Sequence, residues 1–249
     1  MRPSIRCRSS PSSDIVAGKS ASACRAARAS VDGPYRRVMA ELDVVMRGLL
    51  HDLGVTLHPR GFHSSGAVWR LIRPEGVAVI HKQPSERSRP DARMFYIDTA
   101  VAPKEWWDWL AYRTGQTQPM NKASDIYRIG LMERRVPCPH PADSDRERWQ
   151  VTADTDVDRL RADLLTGVTR AADRLVELLQ PGRYLAELNA LPNKQIGHWP
   201  PLVILLSGRG PSPELDAACA GLRAAFAERP RAAEYVDELI GWAHARASR

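Results

Sequence analysis

The chain has 249 residues, 43% of them apolar and 26% charged, enough for one large or two small domains around a buried core. Six basic and two acidic residues precede Tyr35, so four of the seven net positive charges belong to that segment; residues 35–249 carry only +3, which argues against the basic stripe of a nucleic-acid binder. No run of about 18 apolar residues occurs, so no membrane-spanning helix is expected, and Cys7, Cys24, Cys138 and Cys219 form neither a C-x-x-C pair nor a disulfide framework, which suits a reducing, cytoplasmic setting.

Residues 1–31 are rich in Ser, Ala and Arg and poor in large apolar side chains. Such a segment cannot bury enough surface to offset its ordering entropy, and it lacks the apolar stretch of a secretory signal. A disordered tail is expected, an organelle transit segment being the other reading. Asp32-Gly33-Pro34 reads as the start of a helix, with Asp32 as cap and Pro34 in the first turn. Val38, Leu42, Val45, Leu49 and Leu53 follow on one helical face, and Gly54 is placed to end it.

Residues 67–73 and 77–83 are rich in β-branched and aromatic side chains and read as two strands. Between them, Pro74-Glu75-Gly76 suits a three-residue hairpin loop with Gly76 in the left-handed conformation. That register sets Trp69 and Leu71 across from His81 and Val79 on one face, with Arg70 and Lys82 on the other. Residues 94–101 read as a third strand, 126–133 as a fourth, and Trp149–Thr152 as a short edge strand. Pro103 opens a short helix that carries Trp106, Trp107 and Trp109 and stops at Gly115, and residues 136–148 form a proline-rich charged loop. Val157, Leu160, Leu164, Val168, Ala171, Leu175 and Leu178 define a long amphipathic helix, opened by a capping box at Thr155 and Asp158 and closed by Pro181-Gly182. Short helices are expected at 184–191, at 202–206 up to a glycine, from Ser212-Pro213 to Phe226, and after Pro230.

The fold class implied is α+β: an antiparallel sheet of four or five strands with helices 35–53 and 157–179 packed on one face. The domain would span 32–190, and residues 191–249 would form a small helical extension.

Specific chemistries fare poorly. His58, His63 and His81 crowd one region and Cys138-Pro139-His140 lies in a loop, but none has the i, i+4 or C-x-x-C spacing that braces a metal. Ser64-Ser65 is not in a G-x-S-x-G elbow. Residues 202–210 lack the P-loop ending, and Pro211 and Pro213 remove backbone donors that a phosphate cradle needs. No catalytic residue, metal or cofactor is therefore expected. The sheet face away from the helices would present Arg70, Lys82, Gln83 and Asp98. Trp106 and Trp107 are about 100° apart on a helix and cannot share one buried face, which makes Trp107 a candidate anchor for a protein partner.

An opening helix ending in Leu-Gly, Gly61-Phe62, Val68-Trp69-Arg70, a hairpin, Gln83-x-Ser85, Phe95-Tyr96-Ile97 and Trp149 ahead of a long helix together resemble the bacterial family called domain of unknown function 4304, over about residues 35–190. The resemblance implies no activity and carries over no catalytic residue. The residues point to a cytoplasmic protein-interaction or regulatory module, immunity proteins included, without catalytic activity. The alternative is a hydrolase or transferase with a site on the open sheet face. A protein partner is expected and a nucleic acid is not; oligomeric state and catalysis stay open at this point.

Overall fold

The computed structural model describes the backbone of residues 20–115, 131–132 and 135–249, and the side chains of 36–115 and 135–249. Helix α1 (Ser20–Leu57) starts well before Asp32, so Gly33-Pro34 lies inside it. Residues 20–31 contain several Ala and Arg, the strongest helix formers, and a scarcity of large apolar side chains does not oppose a helix. Residues 1–19 of the expected tail lie outside the described residues. Gly54 does not end α1 either, because its apolar stripe continues: Leu42, Met46, Leu49, Leu53 and Leu57 are all buried. A single 3-10 turn, His58–Arg60, follows, and Gly61 closes it in the left-handed conformation with its N–H on the His58 carbonyl.

Strands β1 (His63–Ser65), β2 (Val68–Arg73), β3 (Gly76–Pro84) and β4 (Ala92–Pro103) form an antiparallel meander. The fifth position, on the far edge of β4, is shared end to end by β5 (Leu131–Met132), paired with Ala100 and Val101, and β6 (Trp149–Thr152), paired with residues 92–95. Of the strand expected at 126–133, only Leu131 and Met132 fall among the described residues.

The β2–β3 register differs from the expected one by a single residue. Arg73 pairs directly with Gly76, leaving a two-residue Pro74-Glu75 turn, and Trp69 faces Ile80 where His81 was expected. A one-residue slip turns a whole strand over, since side chains alternate between faces. Trp69, Leu71, Ala78, Ile80, Phe95 and Ile97 therefore line one face under α1 and α3 (Val157–Leu178). Val77, Val79 and His81 line the other. Gly76 is required for a different reason than a left-handed turn: β4 runs so close that a Cβ there would meet the Ala102 carbonyl oxygen at 2.4 Å.

Helix α3 is capped by Asp156, whose carboxylate accepts the Arg159 N–H, one residue after the expected Thr155. The Thr155 hydroxyl is occupied by the backbone N–H of Thr152. Helix α2 (Lys104–Thr114), stopped at Gly115, covers part of the second sheet face, where Trp107 packs on Val77, Val79, Ala100 and Ala102. On its outer side stand α4 (Arg183–Ala190), α5 (Trp199–Ser207), α6 (Pro213–Phe226) and α7 (Ala233–Ala247), which share a second core with Trp109. Ser212 caps α6 through the Leu215 N–H. The structure is α+β, with α1 and α3 on one sheet face as the pattern implies and α2 with the C-terminal helices on part of the other.

Candidate functional site

The register decides which candidate residues meet. Arg70, Gln83 and Asp98 project from the α2 side of the sheet, whereas Lys82 projects from the opposite side, its Nζ 5.7 Å from the centroid of the Phe95 ring. Burial, and then the charge of Arg93, hold the Lys82 pKa below its ordinary value. The four residues therefore do not form one constellation. Trp107 is 7% exposed and belongs to a core, so it is not a surface anchor. Helical spacing leaves one of the tryptophans exposed only where one side of α2 faces water, and α2 is covered on both sides.

Asp98 is the centre of a polar ladder that sequence reasoning missed. It is 2% exposed and accepts a hydrogen bond from Arg135 Nε at 2.7 Å. His81 is its direct cross-strand partner, with Nδ1 3.9 Å from the carboxylate. The Arg135 guanidinium also lies 4.3 Å from the centre of the Tyr96 ring, and the Tyr96 hydroxyl donates to Asp145 at 2.9 Å. Asp145 in turn pairs with the buried Arg148, which also meets Asp143. Burial pushes the His81 pKa below its ordinary value; Asp98 opposes that, and Lys82 and Arg70 reinforce it. Strand alternation could have placed Tyr96 beside Asp98. Nothing local announces Arg135, which arrives from 37 residues further along the chain.

Arg135 reaches the sheet because the Val136 N–H bonds the Ile97 carbonyl at 3.0 Å, in the gap between β5 and β6. The adjacent Val136 side chain turns into the helix-side core, against Gly167 of α3. The Trp149 indole N–H donates to the Val136 carbonyl and pins the loop further. Between this loop, α3 and α4 opens a cleft of about 1110 Å³. Its walls include Pro137, Leu175, Leu188 and Leu191, and its polar lining includes Arg135, Arg170 and Arg174 against Asp163 and Glu187. Arg174 makes a two-pronged ion pair with Glu187 that clasps α3 to α4, and Arg183 adds contacts at 2.7 Å to Glu177 and 3.3 Å to Glu187. The hydrogen bonds from Arg174 hold the Glu187 carboxyl below its usual range, against the opposing effect of burial. Arg170 is exposed at the cleft mouth.

Cys138 lies beside this cleft, facing a smaller recess of about 240 Å³. Burial pushes its thiol up, away from the thiolate that a nucleophile requires, although a backbone hydrogen bond from His140 partly offsets this. The His140 ring is engaged elsewhere, with Nε2 2.6 Å from Arg159 and 3.7 Å from Asp163. Ser64 and Ser65 are exposed on β1. His58 and His63 stack edge to face with ring centres 5.9 Å apart, while His81 lies on the far face of β3. Among the described residues, no three His, Cys, Asp or Glu side chains gather closely enough to hold a metal ion.

No curated protein and no solved structure matches the chain. The family model described as Domain of unknown function (DUF4304) matches residues 53–177, from the last turns of α1 through the sheet, the Asp98 ladder and nearly all of α3. With half of its length so matched, the chain belongs to the DUF4304 family.

Proposed function

We propose that the protein is a protein-interaction module of regulatory or immunity type, acting without catalysis in a bacterial cytoplasm, and that it holds an acidic segment of its partner in the cleft between α3, α4 and the Pro137–Pro139 loop. The observation that carries this reading is the make-up of the cleft: apolar walls rimmed by three arginines against two carboxylates, with Arg135 and Arg174 held in ion pairs and Arg170 exposed at the mouth. A planar guanidinium fork suits carboxylates, and apolar walls with a few placed polar groups are the usual form of a binding site. The raised Cys138 thiol and the engaged His140 ring support binding over nucleophilic chemistry. The buried, unpaired Cys138 and Cys219 fit a reducing compartment.

The test is affinity capture from the host with the full chain as bait, beside Arg170→Glu and Thr166→Tyr variants. Both positions are exposed on α3 at the cleft. The wild-type chain is expected to retain a partner that added salt releases, because exposed charge pairs are screened over roughly 8 Å at physiological ionic strength. Both variants should lose that partner with unchanged melting temperature. Retention by both variants, or no specific retention by the wild type, would remove the proposal.

A further inference from the structure

A separate cavity, of about 650 Å³, lies at the β1 edge of the sheet beneath the last turns of α1. Trp69 forms part of its floor. This residue is 1% exposed, and its indole Nε1–H has no hydrogen-bond acceptor. An indole N–H can only donate, and buried donors in folded proteins are almost always satisfied. Trp149, in the same core, shows the ordinary arrangement, with its N–H on the Val136 carbonyl at 3.0 Å.

The Trp69 N–H edge lies against Gly54, where a Cβ would stand 3.8 Å from Nε1, and both residues line the cavity. A glycine inside α1 weakens the helix but leaves this edge of the indole uncovered by a side chain. The rim carries His51, His58, His63 and Ser64, and no carboxylate lines the cavity among the described residues. All of these polar side chains can donate. The remaining walls, Leu50, Val55 and Phe62, are apolar. A molecule that satisfies this surface brings acceptors at one end and an apolar body at the other.

We propose that this cavity is a binding site for a small organic carboxylate, with the carboxylate accepting from the Trp69 indole and from the His58 and His63 rings and the apolar body lying on Leu50, Val55 and Phe62. The site is separate from the cleft between α3 and α4, and neither assignment depends on the other.

The test uses the ¹⁵N-labelled full chain, with sodium benzoate and sodium octanoate as probes and benzylamine as the cationic control. The seven tryptophans give separate indole signals, and Trp69→Phe identifies its own by loss. Benzoate is expected to shift the Trp69 indole proton downfield to saturation, and benzylamine is not. Removing both ring donors in His58→Ala/His63→Ala should weaken benzoate binding about a hundredfold, the loss of two hydrogen bonds. That variant changes exposed residues, so its melting temperature should hold. Trp69→Phe keeps a six-membered aromatic ring but removes the N–H with the pyrrole ring, so calorimetry on it should show benzoate binding weakened about tenfold or more, with its melting temperature measured alongside. A Trp69 signal unmoved by both acids, an equal response to benzylamine, or undiminished binding in the double histidine variant would overturn the assignment.

Discussion

Trp107 and Trp109 stand two residues apart on α2 and are buried in different cores. Two residues on a helix are about 200° apart, so the pair points to opposite sides. Trp107 packs on small and β-branched residues of β3 and β4. The Trp109 ring lies 5.3 Å from Trp242 and 6.2 Å from Tyr235, both of α7. Arg246 and Asp108 add an ion pair at 2.8 Å between the same two helices. The C-terminal helices are thus fastened to the sheet through one two-sided helix, although the family match ends at residue 177.

This arrangement makes the C-terminal helices part of the folded unit. A chain ending at residue 190 would expose Trp109, Leu185 and Leu188. It is expected to bind a hydrophobic dye and aggregate. In the full chain, Trp109→Ala should cost about 3–5 kcal/mol, the usual range for truncating a buried aromatic. A shortened chain that melts cooperatively at the full-length temperature would show that the extension is an independent appendage.

Gly76→Ala should be among the most damaging single substitutions in the sheet. The added Cβ would lie 2.4 Å from the Ala102 carbonyl oxygen and 2.8 Å from the Pro103 Cα, both backbone atoms in the paired strand. Backbone in a paired strand cannot rotate aside as a side chain can. The φ of 149° adds conformational strain for any L residue, worth about 1–3 kcal/mol where such strain is forced. The expected result is loss of soluble protein or a large drop in urea midpoint. An unchanged midpoint would mean that the β3–β4 approach is wider than described.

Elements were legible in the sequence where a periodic pattern had only one physical solution. The stripe on α3 and the edge strand Trp149–Thr152 are of this kind, and the strand was read to the residue. Register was not legible, because Pro-Glu-Gly is compatible with loops of two or three residues and the choice turns the strand over. The misplacement of Lys82 follows from that single residue. Trp107 was misread for a tertiary reason: the pattern on α2 does not disclose that other helices will cover its second side. Asp98 was legible as a polar residue in an apolar strand, but its partner Arg135 depends on a loop that threads between two short strands of the far edge.

His81 should make stability depend on pH below neutrality. Its folded pKa lies below the ordinary value, chiefly through burial, with Asp98, Lys82 and Arg70 as the charged groups that act on it. The unfolded chain then binds more protons than the folded one as pH falls below about 6.5, the unperturbed histidine value. Stability from this group is present above that pH and is lost as pH falls toward the folded pKa. His81→Gln should flatten the slope of unfolding free energy between roughly pH 6.5 and the folded value. Urea titrations at several pH values check this, and an identical slope in the variant would remove His81 as the cause.

Gly167 sits in the middle of α3, where a glycine ordinarily costs about 1 kcal/mol relative to alanine. On helix propensity alone, Gly167→Ala should stabilise the protein. The structure points the other way, because a Cβ there would stand 2.6 Å from Val136 Cγ1. Val136 is buried and held at both backbone ends, by its N–H on Ile97 and by its carbonyl under the Trp149 indole. Its β-branched side chain has little rotamer freedom in the packed core, so Gly167→Ala should destabilise the fold and shift the loop that walls the cleft. The same loop carries Arg135, so the Asp98 ion pair should loosen with it. Val136→Ala removes the obstructing methyl groups at the price of a small cavity. In that background Gly167→Ala should become neutral or stabilising, because only the helix-propensity gain remains. The double-mutant cycle isolates this contact, and residues in direct contact typically couple by about 0.5–3 kcal/mol. Additive effects of the two substitutions would show that Gly167 and Val136 do not touch, and the loop would then owe its position to its hydrogen bonds with Ile97 and Trp149.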